Sequence, residues 1–143
     1  MMRASLVRRP IAVEAIVAEV AGEGNGATAL FLGTVRSHND GRDVTGIEYS
    51  AYDEMAELEM DWILREAAER FCIAQAVVEH RLGELKVGDA SIGVAVAHAH
   101  RGEAINALRF IVDEIKRRAP IWKLEHYADG TREWVAAGTG TTP

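Results

Sequence analysis

Between residues 102 and 118 the apolar side chains Ile105, Leu108, Ile111, Val112 and Ile115 recur at steps of three, three, one and three. That spacing draws one stripe along a helix, and Pro120 ends the helix because it drives Ala119 out of helical geometry. Immediately before it, residues 90–99 alternate, with Ile92, Val94 and Val96 on one face, as a strand does. Immediately after it, residues 121–126 and 132–136 read as short strands around an Asp129-Gly130 turn. A strand, a helix and a returning strand in so little chain demand a helix packed on a sheet.

The remaining segments extend this pattern. Residues 11–21 suit a short helix after Pro10, closed by the glycine-rich loop 22–26. Residues 27–36 (ATALFLGTVR) and 44–52 are strand candidates, expected to form a hairpin with the polar segment SHNDGRD as its tip. Residues 53–70 read as a helix with Asp53 as N-cap. Its charged stripe is Glu57, Asp61, Arg65 and Glu69, and its apolar side is Met55, Leu58, Trp62 and Ile63. Residues 73–80 form a strand, and 82–89 a turn-containing connection. Strands and helices mix without strict βαβ alternation, so the expected class is α+β with a mainly antiparallel sheet. With 143 residues, no repeat and no linker, the chain is expected to be one domain, with a core over about residues 25–136 and a loose tail at 138–143.

Charge and composition exclude several functions. The net charge is −6, with nine basic and sixteen acidic side chains in residues 1–100 against seven and six in residues 101–143. No broad basic face is available, so nucleic acid is not the expected partner, whereas a local anion pocket in the last third is. The single cysteine, Cys72, rules out an internal disulfide framework and a cysteine zinc site, and it reads as a small buried residue. No apolar run reaches the length of a membrane helix. Arg3, Arg8 and Arg9 before Ile11 imitate a signal peptide, but Glu14 and Glu19 interrupt the apolar stretch, so a cytoplasmic protein is expected.

There is no Walker loop, GxGxxG, GxSxG or HExxH. What remains are polar residues at the ends of elements. Arg36 closes an apolar strand and can hold an anion with its fork of donors, or simply face water. His98 and His100 lie two apart, but a third metal ligand is not evident. His100 and Arg101 stand before a helix start, where free N–H groups favour phosphate or carboxylate, although a plain polar cap has the same sequence. Lys116 sits in the last helical turn, where the dipole alone would favour a cation. Lys123 is placed in a half-buried strand, where apolar walls or another cation would lower its pKa. Glu125 shares its face and can orient it, unless the two form only a surface ladder. Trp62, Trp122 and Trp134 suit core or interface positions.

Read together, FLGTVR (31–36), the polar loop ending at Gly41, IEYSAYDEMAE (47–57), EHRLGELKVGDASIGVAVAHAHR (79–101), DEIKRRAPIWKLE (113–125) and Trp134-Val135 resemble the large, catalytic subunit of molybdopterin synthase. The segments are collinear over about residues 25–136. The resemblance implies an α/β-hammerhead-type fold with an added antiparallel sheet. It implies an enzyme that converts cyclic pyranopterin monophosphate into molybdopterin. The sulfur comes from the C-terminal thiocarboxylate of a small ubiquitin-like subunit ending in Gly-Gly, and the assembly is a heterotetramer built on a dimer of large subunits. Residue by residue it implies substrate contacts at Thr34, Val35, Arg36, His100, Arg101, Leu124 and Glu125, with Lys116 and Lys123 both binding and catalytic. It implies no metal and no resident cofactor. The uncharged end of this chain departs from family members whose longer basic tail reaches a neighbouring pocket. Two other readings stay open, a non-catalytic binding module for a ubiquitin-like protein and a small binder of an anionic metabolite.

Overall fold

A computed structural model describes residues 2–136; the expected loose tail lies outside the described residues. In chain order the elements are β1 (Met2–Val7), α1 (Val13–Glu19), β2 (Ala27–Thr34), β3 (His38–Asn39), β4 (Arg42–Ala51) and α2 (Asp53–Phe71). There follow β5 (Gln75–Arg81), β6 (Gly83–Lys86), β7 (Ala90–His98), α3 (Arg101–Arg118), β8 (Ile121–Tyr127) and β9 (Arg132–Ala136). They build two sheets, one ordered β1-β5-β7-β2 and one ordered β3-β4-β8-β9 with β6 on the free side of β4. Only β1 and β5 run parallel; every other described pair is antiparallel. This is the α+β arrangement expected from the sequence.

Strand β7 is buried on both faces. Ile92, Val94 and Val96 join α2 and α3 in the main core, while Ala95 and Ala97 meet Ile16 of α1 and Val20 just after it. The small residues on the second face let the short helix approach closely. A Cβ on Gly93 would lie 3.0 Å from both Ile11 and Ile16. The main core also takes in Ile121 of β8 and, at its edge, Tyr49 of β4, so the second sheet is anchored to the same cluster.

Several local expectations are corrected. β2 and β4 do not pair: β2 lies on β7, and β4 on β8. The hairpin is instead β3–β4, closed by Asp40 (φ 49°) and Gly41 (φ 76°). Two successive left-handed residues match the twist of the flanking strands, which explains the Asp-Gly dipeptide. The connection 82–89 contains β6, which pairs with β4. Asp53 is the first helical residue and not the cap; Tyr52 precedes the helix without a side-chain capping bond. Cys72 is exposed and ends α2 in the left-handed conformation, with φ 56°.

The buried face of α2 differs from the expectation, whereas on α3 only Ile105 does; Leu108 packs on the core and Ile111, Val112 and Ile115 lie in it. On α2, Met55, Leu58 and Trp62 are 63%, 60% and 50% exposed, and the core face is Ala56, Met60, Ile63, Leu64 and Ala67. On α3, Ile105 is 56% exposed, and Ala104 and Ala107 go inside with Ile111, Val112 and Ile115. Alanines at the contact let the elements pack closely, whereas a reading weighted toward large apolar side chains selects the neighbouring stripe. Strand β1 was not foreseen. Its Arg3, with Arg9, converges on Glu79, which is 1% exposed, at 2.8 and 2.9 Å from the same carboxylate oxygen. Burial pushes the Glu79 carboxyl up, and the donors of Arg9 and Arg3 outweigh it, so the net shift is downward.

Candidate functional site

The helix stop at Pro120 creates the site. Ala119 is extended (φ −72°, ψ 131°), and β8 starts two residues later and runs back along β4. Lys116 in the last turn of α3 and Lys123 in β8 therefore line the same two adjoining cavities, of about 80 and about 250 Å³. The outer cavity adds Thr34, Val35 and Arg36 from the end of β2, His38 and Asn39 from β3, and Glu125 from β8. The strand of FLGTVR ends at Thr34 because the register with β7 shifts there; Val35 then bonds Asp89 and Gly88 through its backbone and is itself buried.

Alternation along β8 sends Lys123, Glu125 and Tyr127 to one face and Leu124 to the other, where Trp134 of β9 lies opposite it. Leu124 accordingly does not line either cavity. Glu125 is 1% exposed, which separates it from a surface ladder. Its carboxylate accepts from Asn39 Nδ2 (2.7 and 3.0 Å) and from the Tyr127 hydroxyl (3.0 Å), and lies 3.5 Å from Lys123 Nζ. Burial and the bond to Glu125 push the Tyr127 phenol up to about 12. Lys116 is held below the ordinary lysine range, by burial first and by the charge of Lys123 second, with Asp113 opposing.

Three lining residues of the inner cavity carried no sequence signal strong enough to single them out. Tyr49, His80 and Ser91 stand behind the lysines. Tyr49 and His80 meet edge to face at 5.0 Å, and burial raises the Tyr49 phenol. His80 Nδ1 lies 3.0 Å from the Arg81 carbonyl oxygen, so the neutral ring carries its proton on Nδ1. Burial brings its pKa down to about 4, with the Lys116 charge adding to the shift and the Arg81 carbonyl opposing it. The unfolded chain binds a proton at His80 near pH 6.5, and the folded chain does not until about pH 4. Above pH 6.5 this group costs nothing. As the pH falls through that window, stability drops by about 3 kcal/mol. Chemical denaturation at steps across it should show the loss, and His80→Asn should flatten that share of the slope.

His100 and Arg101 are exposed at the other end of α3. They line a separate open cavity of about 390 Å³ with Gly26, Ala99 and Gly102. Fifteen helical steps, roughly 22 Å, separate Arg101 from Lys116. One protomer therefore does not bring the two groups of candidate residues together. At this corner the His100 backbone N–H donates to His98 Nδ1 at 2.9 Å. Nδ1 is thereby the acceptor of that bond, and the Glu103 carboxylate lies 3.6 Å from it. No group of three or more His, Cys, Asp or Glu among the described residues is placed to hold a metal. Gly26 closes the corner by donating to the His98 carbonyl (3.1 Å), and a Cβ there would meet the Ala99 carbonyl oxygen at 2.6 Å. Gly26→Ala should cost about 1–3 kcal/mol in thermal unfolding, because backbone and not a flexible side chain must move.

The sequence model of the family described as MoaE protein matches residues 6–118. This chain belongs to that family. Among relatives of the MoaE family, the molybdopterin synthase catalytic subunit of Pyrococcus abyssi is 45% identical over 130 residues, covering 90% of this chain and 88% of the relative. That of Synechococcus elongatus is 46% identical over 111 residues, covering 77% and 67%. The crystal structure of molybdopterin synthase from Staphylococcus aureus superimposes with a TM-score of 0.87 at 32% identity, over 92% of this chain and 95% of that one. The match to the MoaE family stops at residue 118, so Lys116 falls within it and Lys123 does not. The relative from Pyrococcus abyssi and the Staphylococcus structure each cover nine-tenths or more of this chain.

Proposed function

We propose that this chain is a molybdopterin synthase catalytic subunit that receives the thiocarboxylate tail of a small ubiquitin-like partner and uses its sulfur to convert cyclic pyranopterin monophosphate into molybdopterin. The observation that carries the reading is the convergence of Lys116 and Lys123 in one cavity with Arg36 among its lining. Both reactants are anions, a thiocarboxylate and a cyclic phosphate, and a pair of ammonium groups in a partly buried cavity stabilises such charge far better than water does. Lys116, whose proton is loosened by burial and by its neighbour, is the better proton donor as the phosphate ring opens. Lys123, 3.5 Å from the Glu125 carboxylate, holds charge and orientation. Thr34 and Val35 contribute the wall beside Arg36. The donor of sulfur is the partner, so the chain itself needs neither a nucleophilic cysteine nor a resident cofactor.

His100 and Arg101 enter this reading through a second copy of the chain. A small substrate cannot span the length of α3, but in a dimer the helix start of one protomer can lie against the lysine cavity of the other. The same dimer is the centre of the heterotetramer, and the work is done in the cytoplasm. Intact-protein mass spectrometry of the partner tests the reading at its first step. Incubated with the pterin and this chain, the tail should pass from thiocarboxylate to carboxylate. A tail that binds but keeps its sulfur would favour a non-catalytic binding module.

A further inference from the structure

We propose that Asn39 is a positioning residue for the reaction, holding the Glu125 carboxylate in place through the β3–β4 hairpin and, through Glu125, the Lys123 ammonium. The inference rests on the synthase reading. Asn39 and Arg42 are direct partners across the hairpin, and they grip two residues of one face of β8. Asn39 Nδ2 donates to both oxygens of Glu125, at 2.7 and 3.0 Å. The Arg42 guanidinium lies 3.4 Å from the centre of the Tyr127 ring, and the Tyr127 hydroxyl donates to Glu125. Glu125 is fully enclosed, so its orientation is set by these donors and not by water. A carboxylate clamped on two sides presents Oε1 to Lys123 in one geometry. The left-handed Asp40-Gly41 turn makes the clamp possible, because it gives the two-residue β3 its fixed register on β4.

Isosteric substitution separates this role from mere hairpin shape. Asn39→Asp keeps the size of the side chain but replaces two donors by a second negative charge. Asn39→Ala removes the donors and adds nothing. With the unaltered chain as active control, Asn39→Ala should lower kcat roughly tenfold and Asn39→Asp roughly a hundredfold at neutral pH, with KM for the partner little changed. The Asn39→Asp loss should shrink toward acid pH, where a proton shared between the two carboxyl groups restores a donor. The other charged or titratable groups around Glu125 are Lys123 and Tyr127 on its own strand, Tyr49 on β4, His38 on β3, Arg36 after β2, Glu133 opposite on β9 and Lys116 on α3. All of these are the same in both variants. Independently of activity, amide hydrogen exchange in residues 38–43 should be faster in Asn39→Asp than in Asn39→Ala.

Asn39→Asp as active as Asn39→Ala or better, with the same pH profile and the same exchange, would overturn the proposal. Should Asn39→Asp fail to fold, Asn39→Leu is the neutral isostere: a loss equal to that of Asn39→Ala supports the role, and retained activity overturns it. An inactive unaltered chain would instead count against the synthase reading, while the exchange difference would still decide the clamp.

Discussion

Replacing Lys123 by alanine should lower product formation by about a hundredfold to a thousandfold while leaving the fold and partner binding in place. The ammonium is half-buried in a cavity shared with Lys116, so its charge is neither fully screened nor replaceable by water. Its removal leaves the Glu125 carboxylate with Asn39 and Tyr127 as donors, so the buried acid is not stranded and the sheet should persist. Removing Lys123 also takes away one of the two causes that lower Lys116, whose proton is then held more tightly. The loss thus combines a missing cation with a poorer acid. Steady-state kinetics beside a pull-down with the small subunit reads both parts. Activity within about threefold of the unaltered chain would remove Lys123 from the chemistry.

Two inactive variants should restore each other when mixed. Lys123→Ala and Arg101→Ala disable different groups, placed at opposite ends of α3. If a working site takes its lysines from one protomer and its helix start from the other, each homodimer is inactive at both sites. In a mixed dimer one site inherits both substitutions and the other neither. Random exchange of equal amounts makes about half of the dimers mixed, so activity should return to about a quarter of that of the unaltered protein. A mixture as inactive as its components would show that the lysines and Arg101 do not meet across the dimer, and an Arg101→Ala variant that is active on its own would place Arg101 outside the site.

The sequence made legible what is carried by local rules. The stripe of α3, its end before Pro120 and the return of β8 are local, and together they predict that Lys116 and Lys123 approach each other. The face of α2 was not legible, because small alanines decide which side packs closely and size-weighted patterns pass over them; on α3 only Ile105 departs, while Leu108 packs on the core and Ile111, Val112 and Ile115 are buried in it. The β2–β4 hairpin was misplaced because neighbours in sequence are the usual partners in a sheet, and here each strand pairs with one more than fifty residues away. Strand β1 was hidden for the same reason: its parallel partner β5 lies far along the chain, and nothing local announces that Arg3 meets Glu79. The same holds within the site. Arg36, Lys116, Lys123 and Glu125 were visible as charged residues at element ends. Asn39, Tyr49, His80 and Ser91 became candidates only once three-dimensional neighbours defined the cavities. His100 and Arg101 were grouped with the lysines by resemblance, and the length of a helix keeps them apart in one protomer.

This chain moves sulfur onto a pterin in the proposed reaction. Mass spectrometry of a three-component reaction tests it most directly, with the chain, a thiocarboxylated small subunit and cyclic pyranopterin monophosphate combined and the pterin followed. The expected product carries two added sulfurs, is made only when the chain is present and is lost with Lys123→Ala. A pterin left unchanged while the thiocarboxylated partner remains bound would contradict it.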